Sequence, residues 1–366
     1  MPMLSPKAKR NILHILPFGV LWLVFSLVYT LLERGLLGNL TYYPATGNPY
    51  FFTRNIVTTP LAALVTGLIM GVLEVFCFNK WFVKKSFSKK ILFKSLIYLL
   101  IILLFLVITF IGTATDTVAA VSRKAFWNTA WVFFTDYAML STTVYIASII
   151  LVTQFYAEVS DSIGHAALLN FFLGKYHRPV QEERVFMFLD MRSSTTIAEK
   201  LGHVRYFEML KEYFADLSQP VIDYQGEIYQ YAGDEMIISW KLKAGLQNGD
   251  CIGCFFAMKR GLAQQASKYE ARFGLLPGFK AGLHYGMVTT GEIGVLKKEI
   301  IFTGDVLNTA ARIQGLCNHF GVDILISGHL AKALGPNLSF ETKSLGQHNL
   351  KGRDEHMEIL TVVFAI

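Results

Sequence analysis

Residues 184–190 read RVFMFLD, and residues 229–235 read YQYAGDE. The first stretch predicts a buried strand that ends in an acid, because its apolar run is short and rich in aromatic and β-branched residues. The second stretch joins two β-rich runs through Ala-Gly-Asp-Glu, a pattern that predicts a hairpin. If the first strand lies beside the hairpin, the carboxylates of Asp190 and Asp234 converge at the strand ends.

Two convergent carboxylates suit Mg²⁺ or Mn²⁺, since hard divalent ions take oxygen ligands and share them with substrate phosphates. A pair of such ions can hold a triphosphate and activate an attacking oxygen. Each residue alone also has a simpler interpretation. Asp190 could be the N-cap of a helix, and Asp234 could be an ordinary turn residue.

Two later stretches add polar groups suited to the same chemistry. Residues 303–314 read TGDVLNTAARIQ, where Gly-Asp predicts a turn that opens a helix. Asn308 and Arg312 are four residues apart and share a helix face. An amide beside a guanidinium suits negative charge that develops at phosphorus and at a ribose oxygen. Residues 349–353 read NLKGR, in which Lys351 can reach a phosphate as a point charge.

Taken together, the four stretches resemble class III adenylate/guanylate cyclases. FLDMRSST, YQYAGDE, GDVLNTAARI and LKG occur in the order and spacing of that family, and the similarity covers roughly residues 184–364. The resemblance implies a C-terminal α/β (α+β) ferredoxin-like class III nucleotide cyclase domain at residues 180–366. It also implies a head-to-tail homodimer whose active sites lie at the interface and are built from both chains.

The resemblance also gives individual residues their roles. Two ions, Mg²⁺ or Mn²⁺, would bind Asp190 and Asp234, with the backbone carbonyl of Met191 nearby. Asn308 and Arg312 match the pair that orients the ribose and stabilises the transition state. The implied reaction is an in-line attack of the ribose 3′-oxygen on the α-phosphorus, which expels pyrophosphate.

Two lysines and two base-facing positions complete the implied site. Lys351 matches the triphosphate-binding lysine, and Lys280, in FKAGLH, falls where the family often has a phosphate-contacting arginine. Gln230 takes the position that is lysine in many adenylate cyclases and glutamate in guanylate cyclases. Ile301 takes the position that is often aspartate, threonine or serine for adenine and cysteine for guanine. The family's usual code for the base therefore cannot be read directly from this chain.

Hydrogen-bonding chemistry favours adenine at these two positions. Guanine presents donors that need an acceptor such as a carboxylate, whereas a glutamine amide can pair with adenine through one donor and one acceptor bond. An unpaired buried donor costs ~1–3 kcal/mol. We therefore expect an adenylate cyclase that converts ATP to 3′,5′-cyclic AMP and pyrophosphate. The alternatives are a guanylate cyclase and a catalytically inactive cyclase-homology sensor or regulatory protein.

The N-terminal half has a different composition. The whole chain is 53% hydrophobic with a mean hydropathy of +0.40, and nearly all of the excess lies before residue 156. Its four long apolar runs can each cross a hydrocarbon core of ~30 Å as a helix. Residues 1–155 are thus predicted to form an all-α transmembrane bundle, with helices near residues 12–32, 56–78, 91–115 and 131–155.

Positive charge predicts the topology of this bundle. Lysine and arginine cluster before the first run and between the second and third runs, and such segments stay in the cytoplasm. These residues are Lys7, Lys9, Arg10, Lys80, Lys84, Lys85, Lys89 and Lys90. An even number of crossings also returns the catalytic half to the cytoplasm, which places the protein in the plasma membrane, by our expectation the inner membrane of a bacterium. The net charge of +7 is explained in this way, and no aromatic-interleaved basic stripe predicts nucleic-acid binding.

A few polar residues fall within or near the apolar runs. His14, Glu74 and Lys94 lie near helix ends, where snorkelling of the side chain towards water explains them. Asp136 is a candidate for a sensing or interhelical role. The loop at residues 35–54 offers a place for an unknown ligand or partner of the membrane domain.

Residues 156–179 connect the two halves. A helix over residues 156–172 carries an apolar stripe that suits either a short coiled coil between two copies or packing on its own domain. Residues 173–179 read LGKYHRP and form a linker, since Pro179 disfavours helix in the residue before it. Cys251 and Cys254 form a lone CxxC, which we interpret as one face of a helix over roughly residues 250–273 rather than as a zinc or redox site.

Overall fold

The computed structural model describes residues 5–44, 49–82, 85–114, 131, 134–335, 340–350 and 356–364. Two of the residues named above, Lys84 and Lys351, lie outside these ranges, as do residues 45–48 of the predicted loop and residues 115, 132 and 133 of the predicted apolar runs. The chain divides into two compact units, residues 8–169 and residues 1–7 with 170–366.

The N-terminal unit is helical. Within the described ranges its long helices are α1 (Pro6–Leu37), α2 (Phe52–Leu73), α3 (Phe87–Ala114) and α4 (Tyr137–Ile163). A π-helical segment at Glu74–Phe78 and a short turn at Asn79–Trp81 prolong α2. Four segments of the described chain are long and apolar enough to cross a membrane: Pro6–Leu37, Phe52–Phe78, Phe87–Val107 and Met139–Ile163. The four predicted apolar helices are confirmed, and the fourth extends further towards the C-terminus than its apolar run.

The snorkelling interpretation of Glu74 and Lys94 is wrong. Lys94 is only 1% exposed, and its ammonium forms ion pairs with Glu74 and, at 2.7 Å, with Glu158. The Tyr98 hydroxyl donates to the same Glu74 carboxylate at 3.1 Å. A buried charge is tolerated when its partners surround it, and here Lys94, Glu74 and Glu158 lie on three different helical segments. His14 also turns inward, where its ring stacks on that of His165 at 4.8 Å between centroids.

The segment that connects the two halves differs from the single helix we predicted. Helix α4 ends at Ile163, and α5 (His165–Phe172) starts after Gly164. Gly164 has φ +96°, a backbone conformation that glycine adopts without the strain of a side chain. The stripe is therefore split between two helices, and its role in a coiled coil stays a prediction.

The C-terminal unit is built on one mixed sheet. Its order is β2-β3-β1-β4-β6-β8-β7, and β5 pairs with β4 outside this path. The β4–β6 pair is parallel, and the other pairs are antiparallel. The strands are β1 (Val180–Met191), β2 (Glu227–Ala232), β3 (Glu235–Lys241), β4 (Phe279–Ile293), β5 (Glu299–Thr303), β6 (Ile324–Ser327), β7 (Phe340–Asn349) and β8 (His356–Phe364). This sheet, with the helices on it, confirms the predicted α/β (α+β) fold and the predicted hairpin.

Helices cover both faces of this sheet. Successive side chains of β1 point to opposite faces, and its apolar residues need a packing partner on each face. The described helices are α6 (Ser194–Leu201), α7 (His203–Asp223), α8 (Leu242–Leu246), α9 (Asp250–Gln264), α10 (Ala266–Phe273), α11 (Asp305–Gly315), α12 (Cys317–Phe320) and α13 (Gly328–Leu334). Val185, Met187 and Leu189 join a core with α7 and α9, whereas Phe186 and Phe188 join a second core with α11. The CxxC cysteines lie fully buried on α9, and the helix predicted around them is divided between α9 and α10.

Helix α11 sits directly on β4 at Gly282, which makes this glycine a sensitive position. A Cβ there would lie 2.2 Å from the backbone nitrogen of Gln314 and 2.6 Å from the carbonyl oxygen of Ala310. We expect Gly282→Ala to lower the free energy of unfolding by ~1–3 kcal/mol, because the helix backbone must move to admit the methyl group. Thermal unfolding of the full chain in detergent measures this loss.

The matched control is Gly261→Ala in α9, where a Cβ meets no atom within 4 Å. Alanine in a helix interior is favoured over glycine by roughly 0.5–1 kcal/mol, so this variant should be at least as stable as the wild type. A Gly282→Ala protein with wild-type stability would contradict the close packing of α11 on β4.

Candidate active site

The structure brings Asp190 and Asp234 together at one edge of the sheet. Asp190 lies near the end of β1, opposite Glu235 on β3 and Lys280 on β4. Asp234 occupies the tight turn between β2 and β3, where Gly233 has φ +64°. The hairpin register therefore places the Asp234 carboxylate next to the strand that carries Asp190.

Negative charge accumulates at this edge. Burial and the negative charge of Asp234 raise the pKa of Asp190, although Lys280 opposes the shift from 3.3 Å. The pKa of Glu235 is also raised, first by burial and then by the charges of Asp190 and Asp234. The amide of Gln314 donates a hydrogen bond to Asp190 Oδ2 at 3.0 Å. The cluster therefore holds more carboxylates than cations, which is the charge balance that a divalent ion relieves.

The donor set fits ions that are shared with a substrate. Among the described residues, no group of three His, Cys, Asp or Glu side chains is arranged to hold a metal by itself. Mg²⁺ is commonly bound through one or two carboxylates together with phosphate oxygens and water. Asp190, Asp234 and the carbonyl of Met191 offer oxygen atoms of this kind, as the predicted metal ligands should.

The turn that follows Asp190 is fixed by hydrogen bonds from Arg192 to residues of other segments. The Arg192 guanidinium donates to Asp323 Oδ1 and to the Val322 carbonyl, both at 2.7 Å. The Arg192 backbone N–H donates to the Gly278 carbonyl at 2.8 Å. Ser193 has φ +54°, a conformation that is uncommon for serine and that clusters at functional sites. These contacts fix the backbone around Met191, whose carbonyl is one of the predicted metal ligands.

Helix α11 carries Asn308 and Arg312, but it turns them away from this edge. Residues advance by about 100° each around an α-helix, so Arg312 lies about 200° from Gln314. Because Gln314 contacts Asp190 of its own chain, Arg312 faces the opposite direction. Asn308 is exposed and Arg312 half-exposed, whereas Ala310 and Ile313 are buried against the sheet. One chain thus separates the aspartates from the Asn/Arg pair.

The two positions predicted to face the base, Gln230 and Ile301, lie on β2 and β5. Gln230 is exposed and Ile301 is half-buried. Their neighbours Tyr229 and Phe302 touch, with ring centroids 4.8 Å apart. This contact ties together the two strands that carry the predicted base-facing residues. Lys351 lies outside the described residues, and it follows the buried Leu350 in sequence.

Sequence reasoning missed Arg192 and Gln314. Arg192 contacts Asp323 and Gln314 contacts Asp190, and each pair lies more than 120 positions apart in the chain. No local sequence pattern therefore predicts these contacts. A partial signal existed for Gln314. It follows Ala310 by four residues and Ile313 by one, on the apolar face of α11, and a polar group on a buried face needs a partner.

Comparisons with known proteins identify the family of the C-terminal unit. A family model for the adenylate and guanylate cyclase catalytic domain matches residues 177–363. Adenylate cyclase 2 of Rhizobium meliloti (strain 1021) is 36% identical over 208 residues, which cover 57% of each chain. Adenylate cyclase 1 of the same organism is 29% identical over 187 residues, or 50% of this chain and 28% of the relative. The chain thus spans about half or less of these relatives.

Among solved structures, a bacterial light-regulated adenylyl cyclase shares the fold. The superposition has a TM-score of 0.53 at 23% identity and covers 63% of this chain and 67% of that one. The mixed sheet of the C-terminal unit agrees with the family model, which matches more than half of the chain. The chain belongs to the adenylate and guanylate cyclase family, and its residues 177–363 match the catalytic domain of that family.

Proposed function

We propose that this protein is a membrane-bound adenylate cyclase that converts ATP to 3′,5′-cyclic AMP and pyrophosphate as a homodimer. The observation that carries the proposal is the convergence of Asp190 and Asp234 at the strand ends of a cyclase-family sheet. The two Rhizobium relatives bear the name adenylate cyclase, which supports the choice of reaction.

Asp190, Asp234 and the Met191 carbonyl would hold two Mg²⁺ or Mn²⁺ ions. When bound, such ions supply the charge that lowers the pKa of the ribose 3′-hydroxyl and neutralises the triphosphate. The chain's own residues position the reactants. Asn308 orients the ribose so that its 3′-oxygen attacks the α-phosphorus in line with the departing pyrophosphate.

Positive side chains stabilise the phosphates as the reaction proceeds. The Arg312 guanidinium counters negative charge that develops at the α-phosphorus, in the way that arginine acts in other phosphoryl transfers. Lys351 and Lys280 contact the remaining phosphates. In the free protein Lys280 is already at the site, 3.3 Å from Asp190, and its ammonium can move from carboxylate to phosphate because lysine binds as a point charge.

The direction of α11 supports a homodimer. Within one chain the Arg312 side chain points away from the aspartates that would hold the metal-bound triphosphate. A second copy related to the first by a two-fold axis would bring its Asn308 and Arg312 to the first chain's aspartates. Two complete sites would then form, each from two chains, as expected for an isologous pair.

The membrane location rests on the four apolar helices and on the position of basic residues. Lys7, Lys9 and Arg10 lie at the start of the first spanning segment, and Lys85, Lys89 and Lys90 precede or begin the third. By the positive-inside rule both ends face the cytoplasm. The catalytic unit would then face the cytoplasm of the bacterial cell, where nucleoside triphosphates are found. An unknown ligand of the membrane domain stays a prediction.

The proposed substrate can be tested by competition. We expect the full chain in detergent, given equal ATP and GTP with Mg²⁺ or Mn²⁺, to form cyclic AMP in at least ~10-fold excess, since one unsatisfied guanine donor costs about that factor. Mass spectrometry of the products measures the ratio. An excess of cyclic GMP would contradict the roles of Gln230 and Ile301, and no cyclic product from a dimeric sample would contradict the cyclase function.

A further inference from the structure

Arg184 is a charged residue at the start of the apolar run of β1, and it is only 2% exposed. Its Nε donates to Glu182 Oε1 at 2.9 Å, and its Nη1 donates to Glu227 Oε2 at 2.8 Å and to Ser239 Oγ at 2.9 Å. Burial raises the pKa of Glu182, but a hydrogen bond from Thr290 and the charge of Arg184 outweigh it and lower the pKa overall. We call Glu182, Arg184 and Glu227 the Arg184 network.

The Arg184 network touches both strands that carry the base-facing residues. Glu227 is the first residue of β2, the strand of Gln230. The guanidinium carbon of Arg184 lies 4.6 Å from the ring centroid of Phe302 on β5, next to Ile301. Since Phe302 also contacts the ring of Tyr229, the guanidinium, the two rings and the two strands form one continuous packed unit.

The same network reaches the linker that precedes β1. Tyr176 is 4% exposed, and its hydroxyl donates to Glu182 Oε1 at 3.3 Å while it accepts from Lys175 Nζ at 2.9 Å. The Tyr176 carbonyl accepts a hydrogen bond from the backbone N–H of Glu292 on β4 at 3.0 Å. Residues 173–179 are therefore attached to the catalytic sheet at Tyr176, immediately after helix α5.

A guanidinium is well suited to hold two strands at a fixed separation. Its planar fork donates to carboxylates in defined directions, and its face stacks on an aromatic ring. The guanidinium of Arg184 tolerates little displacement, because each partner that it loses leaves a buried N–H group unsatisfied in a medium of low dielectric, even though Glu227 itself is 48% exposed. Any movement of Tyr176 that shifts Glu182 therefore also displaces Arg184 and, through it, β2 and β5.

We propose that Arg184 is a positioning residue for base selection, and that the linker adjusts it through the Tyr176–Glu182 contact. The inference rests on the proposed cyclase function. Arg184 acts on the nucleotide through β2 and β5, by setting the separation of Gln230 and Ile301. The linker that follows helix α5 is thereby connected to the nucleotide preference.

The test compares Arg184→Lys, Glu227→Gln and Tyr176→Phe in the full chain in detergent. Lysine keeps the charge but loses the fork and the stacking on Phe302. We expect Arg184→Lys to lower the ATP-to-GTP ratio of kcat/KM on the order of tenfold, with a higher KM for ATP and kcat within about threefold. Glu227→Gln and Tyr176→Phe should shift the ratio in the same direction by a smaller factor.

Arg272→Gln is the matched control, because Arg272 is an exposed arginine that pairs with Glu212 away from β2 and β5. Its ATP-to-GTP ratio should equal that of the wild type. If Arg184 has only a structural role, the variants should lose thermal stability while every folded variant keeps the wild-type ATP-to-GTP ratio of kcat/KM. This result would overturn the inference. If Arg184→Lys does not fold, unchanged ratios in both Glu227→Gln and Tyr176→Phe would also overturn it.

Binding of 3′-deoxy-ATP and 3′-deoxy-GTP, which cannot cyclise, separates the inference from the proposed function. A wild-type protein that binds these nucleotides but forms no cyclic product contradicts the proposed function alone. The inference is then judged by the ratio of the two affinities across the same variants. A ratio that falls in Arg184→Lys supports it, and a constant ratio contradicts it.

Discussion

Replacement of Asp234 by asparagine is expected to slow cyclic AMP formation by at least about 1,000-fold, or ~4 kcal/mol of transition-state stabilisation. The change removes one of the two carboxylates that would hold the metal ions, whereas the shape of the turn is kept. It also removes a negative charge that raises the pKa of Asp190. The fold should therefore not lose stability in the absence of metal. Initial rates with saturating ATP and Mn²⁺ measure the loss.

Asp216→Asn is the control for this variant. Asp216 is an aspartate of α7 that pairs with Lys268 at 2.6 Å and with the Tyr269 hydroxyl at 2.7 Å, outside the candidate site. It should lose some thermal stability and keep its rate within about twofold, as expected for a change outside the site. An Asp234→Asn protein with more than about a tenth of wild-type activity would rule out Asp234 as an essential metal ligand.

Replacement of Arg312 by alanine should reduce kcat by roughly 100- to 1,000-fold, the range seen when one transition-state donor is removed. An interaction made only in the transition state lowers kcat and kcat/KM equally, so the KM for ATP should change little. Arg312→Lys should recover part of the loss, since it keeps the charge without the fork. Steady-state kinetics of the two variants give both constants.

The exposed Arg205 of α7 provides the comparison, and Arg205→Ala should have wild-type kinetics. A large rise in KM with unchanged kcat in Arg312→Ala would contradict the assigned role. It would show that Arg312 binds the substrate and its transition state equally well.

The fold could be predicted from the sequence because its signals are local. The composition of each apolar run predicts its helix. The β1 strand and the hairpin are predicted by short sequence patterns, which place Asp190 near the end of the strand and Asp234 in the turn. The motif of α11 likewise places Asn308 and Arg312 on one helix face. The family resemblance then joined these pieces, none of which is specific by itself.

The features that escaped prediction depend on contacts between distant residues. Lys94 near a helix end suggests snorkelling until Glu158, 64 positions later in the chain, is found beside it. The sequence indicated Arg184 only as the start of an apolar strand, because its partner Glu227 lies 43 positions away in the chain. The interruption at Gly164 was missed because apolar spacing continues across it, and spacing carries no information on φ.

Co-expression of Asp234→Asn and Arg312→Ala chains tests most directly whether two chains build the site. Each variant alone should be nearly inactive. A mixed dimer keeps one site that combines the intact aspartates of one chain with the intact Arg312 of the other. With equal amounts of the two chains, about half of the dimers are mixed, so cyclic AMP formation should recover to about one quarter of the wild-type rate. No recovery in a sample shown to contain mixed dimers would contradict the shared active site.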